Sequence, residues 1–62
     1  MIITLTDMDG IAFDVNTILI DEVHGKGLHS ELALATGERI ECREEAARVM
    51  KMIVDAKFGG LI

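Results

Sequence analysis

The stretch from Ile40 to Ala56, IECREEAARVMKMIVDA, constrains this chain more than any other. It opens with alternation, Ile40 and Cys42 apolar around Glu41. It then changes to helical spacing, with Ala46, Val49, Met50 and Ile53 recurring at three and four. A period of 2 becoming a period of 3.6 marks a strand that feeds a helix. Everything before it reads as short strands, so this helix is the one element long enough to cover them. The expected fold class is therefore α+β: a small antiparallel sheet of four to five short strands with one C-terminal helix. It forms a single domain over residues 1–62, with a β-rich sheet at 1–42, the helix at 43–57 and a tail at 58–62.

The strands follow in order. Ile3 and Leu5 alternate with Thr4 and Thr6 in the first, and Asp7-Met8-Asp9-Gly10 is a turn of the Asp-Gly type. Ile11 to Val15 reads as the second strand, paired with the first as a hairpin. Asn16-Thr17 breaks the pattern, because Asn folds its side chain onto nearby amides and favours caps and short 3₁₀ turns. Ile18 to Val23 reads as the third strand, His24-Gly25-Lys26-Gly27 as a loop and Leu28 to Ala35 as the fourth strand. Thr36-Gly37 then turns the chain into a fifth strand, Glu38 to Cys42. The helix begins near Arg43 or Glu44, where Glu44 and Glu45 would complement its dipole. Ala46, Val49, Met50, Ile53 and the Lys57 stem form the expected buried stripe, and Gly59-Gly60 stops the helix.

Composition narrows the function classes. With 62 residues and one cysteine, no intrachain disulfide is available. Cys42, His24 and His29 fall short of the four Cys/His ligands of a structural zinc site. A domain this small usually needs such a support or oligomerisation. Half the residues are hydrophobic, more than one small monomer hides, so a homo-oligomer is expected. Residues 1–38 hold seven acids against Lys26, whereas residues 39–62 hold four acids and five bases. Phosphate backbones are bound by Lys and Arg, so nucleic acid is not an expected partner of the strand region. No basic residue precedes an apolar run at the N-terminus, and no run reaches the length of a membrane span. The expected location is the cytoplasm, with Cys42 reduced.

Candidate chemistry is sparse. Cys42 sits on the inward face of its strand, where free Cys behaves as a small hydrophobe. Ser30 and His29 are adjacent in one strand and point to opposite faces, which opposes a dyad. Asp21, Glu22, His24 and His29 offer metal-type ligands without a ligand spacing. His24-Gly25-Lys26-Gly27 precedes a strand rather than the helix a phosphate loop requires. Asp7, Asp9, Asp21 and Glu22 read as turn or edge charges. No catalytic residue, metal or cofactor is expected. The stronger signal is the apolar width of the helix and tail. Met50, Met52, Val54, Phe58, Leu61 and Ile62 exceed what one sheet face needs, and they form the candidate oligomer or partner interface.

Met1, Ile2, Leu5, Thr6, Gly10, Phe13, Asn16, Ile20, Val23, Leu34, Gly37, Ile40, Glu44, Glu45 and Val49 fall in an order that resembles the small flagellar protein family FlbD. The resemblance spans about residues 1–54 and implies a small intracellular protein tied to flagella. It carries over no catalytic residue. The Gly25-Lys26-Gly27 loop and the Phe58–Ile62 tail depart from the family pattern. The first strand is also similar to that of the carbon storage regulator, an RNA-binding dimer, but Asp7 and Asp9 stand where that protein needs basic residues. The expected function is a non-enzymatic, homo-oligomerising interaction module. The alternative is an acidic phage- or host-encoded accessory protein that binds and inhibits a partner or sequesters a small ligand.

Overall fold

The computed structural model describes residues 1–58. The elements are β1 (Ile2–Thr6), β2 (Ala12–Asn16), a 3₁₀ turn (Thr17–Leu19), β3 (Ile20–Lys26), β4 (His29–Leu34), β5 (Arg39–Cys42) and α1 (Ala46–Phe58). All strand pairs are antiparallel, so the fold is α+β as expected. The strands divide into two sheets, β1-β2 and β3-β4-β5. The expected Gly59-Gly60 stop and the Leu61-Ile62 tail lie outside the described residues.

Two hairpins share one turn geometry. In the first, the Gly10 N–H donates to the Asp7 carbonyl and the Asp7 N–H donates to the Ile11 carbonyl. In the second, the Gly37 N–H donates to the Leu34 carbonyl and the Leu34 N–H to the Glu38 carbonyl. This is a type I turn followed by a left-handed glycine that forms a one-residue bulge. Gly10 and Gly37 have φ of +87° and +94°, a region that side chains with a Cβ avoid. Asp7 reinforces its turn, its carboxylate accepting the N–H of Asp9 and of Ile11, both at 2.9 Å.

The segment from Ile18 to Leu28 differs from the sequence-based expectation. Ile18 and Leu19 belong to the 3₁₀ turn rather than to a strand, and Asn16 caps that turn by accepting the Ile18 N–H. β3 starts at Ile20 and continues through His24-Gly25-Lys26, which has the composition of a loop. The reversal is confined to Gly27-Leu28, with Lys26 opposite His29. Gly27 has φ of +81° and Leu28 has no positive φ, the II′ pattern that matches strand twist. Leu28, expected to open the fourth strand, is therefore exposed at the tip of the turn.

The core gathers Ile3, Leu5, Val15, Leu32, Cys42 and Val49 from both sheets and the helix. α1 crosses β3, β1 and β4. Its inward face is Val49 with Met52, Ile53 and Ala56, while Met50 and Lys57, expected inward, are exposed. The helix also starts later than expected, because Arg43 and Glu44 are held by contacts to β1 and β4. Glu44 and Glu45 thus precede α1, whose first turn carries no acid.

Gly37→Ala isolates the backbone demand of the second turn, since a Cβ there would meet nothing within 4 Å. Thermal unfolding should show a loss of about 1–2 kcal/mol, the cost of a left-handed L-residue. An unchanged melting temperature would contradict the turn geometry.

Candidate functional site

Two places concentrate polar or accessible chemistry. The first is the linker between β5 and α1. The Arg43 N–H donates to the Thr6 carbonyl at 2.7 Å, and the Thr6 N–H donates to Glu44 Oε1 at 3.0 Å. Both backbone groups of Thr6 are thereby taken by two consecutive linker residues. The Arg43 guanidinium reaches over the first turn and donates to the Met8 carbonyl at 3.0 Å. On the inner side, Ser30 Oγ donates to the Glu44 carbonyl at 2.8 Å and lies 3.1 Å from Cys42 Sγ. Hydroxyl and thiol carry one proton each, and either can be the donor between them, because Cys42 Sγ also lies 3.7 Å from the Glu44 carbonyl.

Ser30 and Cys42 are fully buried, and their polar atoms meet one another and the Glu44 main chain. His29 is on the opposite face of β4, as alternation requires. The Glu44 carboxyl is subject to opposing influences. Burial pushes it up, but the Thr6 and Glu44 N–H groups, the Thr6 hydroxyl and the Arg48 charge together hold it below its ordinary value.

The second place is a groove of about 520 Å³ between β3 and α1, lined by Ile20, Asp21, Glu22, Val23, His24, Met50 and Ile53. One wall is β3, which among the described residues stands at the outer position of its sheet and pairs with β4 alone. The other wall is the helix. Gly25 lies beneath Ala46, where a Cβ would come within 3.6 Å of the Ala46 Cβ, so helix and strand run close. On the outer face of β3, His24 Nε2 and Glu22 Oε2 are 2.8 Å apart. The pair is exposed and contributes little to stability.

The interface residues expected from sequence separate here. Met50, Val54 and Phe58 are exposed, at 50%, 49% and 56%, on one stripe at i, i+4 and i+8. Met52 instead packs against the core. Leu61 and Ile62 lie outside the described residues. The stripe borders the groove through Met50, which places helix and β3 in one surface. The β3 side of that surface is hidden in the sequence by the loop-like His24-Gly25-Lys26-Gly27.

Among the described residues, no group of three or more His, Cys, Asp or Glu side chains is arranged to hold a metal ion, and no helix is long and apolar enough to cross a membrane. The chain matches no family model, and neither a curated protein nor a solved structure matches it.

Glu44→Gln keeps an oxygen for the Thr6 N–H and removes the charge. A carboxyl whose folded pKa is depressed stabilises the fold above the ordinary Glu range, and this is lost as pH falls through the lowered folded value. Urea unfolding at neutral pH should show Glu44→Gln less stable by about 1 kcal/mol, the difference between a charged and a neutral hydrogen bond. The gap should close in acid, once the pH has fallen through that lowered folded value and the wild-type carboxyl is protonated. A gap that persists in acid would assign the effect to packing.

Proposed function

We propose that this protein is a small non-enzymatic interaction module that works as a homo-oligomer and resembles the FlbD-type flagellar proteins. The observation that carries this reading is the exposed stripe of Met50, Val54 and Phe58 beside the groove. Three large apolar side chains on one stripe of a helix expose a surface that a monomer gains nothing by wetting. Methionine suits such a surface, because its flexible thioether adapts to a partner.

Core size supports the same reading. Among the described residues, six apolar side chains are buried and ten large ones are exposed. A six-residue core is thin for holding two sheets and a helix, and small domains commonly recover the deficit by association. The buried chemistry fits a scaffold: Cys42 and Ser30 fill the space behind the linker, where their polar atoms satisfy one another and the Glu44 carbonyl.

Sedimentation equilibrium of the full chain tests this directly. The wild type should sediment as an oligomer at high micromolar concentration. Met50→Lys with Val54→Lys should lower the mass toward the monomer without loss of helical circular dichroism, since both residues are exposed. A wild type that stays monomeric would overturn the reading.

A further inference from the structure

We propose that two copies of this chain join edge to edge through β3, antiparallel across a two-fold axis, so that their two three-stranded sheets become one continuous sheet. This rests on the self-association proposed above and names its seam.

The backbone supplies the first argument. The Lys26–His29 pair closes a two-residue loop, so it is a hydrogen-bonded pair, and alternation makes His24–Glu31 and Glu22–Ala33 the next ones. The far side of β4 agrees, because the Leu34 N–H donates to the Glu38 carbonyl of the β5 hairpin and the Ala35 N–H donates toward β3, to the Leu19 carbonyl. The remaining residues, Val23 and Gly25, direct their N–H and carbonyl groups away from β4, along the groove. A strand edge with such groups is a template for another strand. The bulge that twists this edge lies between Ile20 and Glu22, which leaves Glu22 to Lys26 regular.

Charge selects the occupant. Along β3 the acids Asp21 and Glu22 come first, and His24 and Lys26 follow. Three antiparallel registers bring outward groups together: Val23 against Val23 of the second copy, Val23 against Gly25, and Gly25 against Gly25. In the first, Glu22 faces His24 of the other copy. In the second, Glu22 faces Lys26 and the two His24 side chains face each other. In the third, His24 faces Lys26 and Glu22 gains no opposite charge, so the first two are favoured. A parallel arrangement in register would set Glu22 against Glu22. Opposite charges across a pair of strands stabilise it and like charges oppose it, so the edge is complementary to itself in the antiparallel sense. A two-fold axis perpendicular to the sheet places both helices on the same face. The stripe that begins at Met50 then borders the seam from each side, and the groove over β3 is filled by the neighbouring strand.

The test uses the full chain and charge exchange at exposed positions. Glu22→Lys should weaken association by about tenfold or more, as two symmetric contacts become repulsive. His24→Glu with Lys26→Glu should do the same. An equimolar mixture of the two variants should recover wild-type affinity, since the lysine introduced in one copy then faces the glutamates introduced in the other. Residue-resolved amide exchange should show Val23 and Gly25 protected in the associated form and exchanging freely on dilution. If the wild type associates and Glu22→Lys leaves its dissociation constant unchanged, or Val23 and Gly25 exchange freely in the oligomer, the β3 seam is wrong while self-association stands. A wild type monomeric at every concentration would remove both.

Discussion

Thr6 is where the two sheets become one fold. Its carbonyl and its N–H are both engaged by the linker that follows β5, through the Arg43 amide and the Glu44 carboxylate. An isolated two-stranded hairpin is marginal in water, and β1-β2 is such a hairpin. It is held by this junction, by the Arg43 guanidinium over its turn and by Ile3, Leu5 and Val15 in the shared core. The junction in turn needs its own support. Ser30 and Cys42 supply it from the second sheet by fixing the Glu44 main chain from beneath. Residues far apart in the sequence thus converge on Thr6, and the helix can begin only after the linker has left it.

How far the sequence is legible follows from this arrangement. Asp7 to Gly10 and Thr36-Gly37 announce their turns by local chemistry, and the strands beside them alternate cleanly, so both hairpins are readable. β3 is not, because His24-Gly25-Lys26-Gly27 has the composition of a loop while only Gly27 turns. The helix start reads too early for a different reason. Glu44 and Glu45 look like first-turn acids, but Glu44 is committed to Thr6, a contact across 38 positions that no local pattern reveals. The helix face is ambiguous by one residue. Val49 with Met50 and Ile53, and Val49 with Met52 and Ile53, both satisfy a spacing of three and four, and only the position of the sheets selects the second.

That choice shapes the candidate surface. Turning Met52 inward and Met50 outward aligns Met50 with Val54 and Phe58 and brings the stripe to the groove over β3. The expected interface residues are therefore partly legible from apolar excess alone, whereas the strand edge beside them requires the pairing of β3 with β4. Acidic charge has two settings in this chain. Asp7 and Glu44 accept backbone amides and are consumed by the fold, while Asp21 and Glu22 stand exposed on β3.

The long reach of the Thr6 junction also orders events in time. Both hairpins close over a few residues and can form as soon as their turns exist, on the microsecond scale typical of such elements. The junction cannot, because its partners lie beyond β5. During synthesis at roughly 5–20 residues per second, the opening hairpin is exposed for seconds before Arg43 and Glu44 arrive. β1 and β2, made before the strands they join, are thus among the last of these elements to be secured. Throughout that interval Ile3, Leu5 and Val15 depend on the nascent chain's surroundings to keep them from pairing elsewhere.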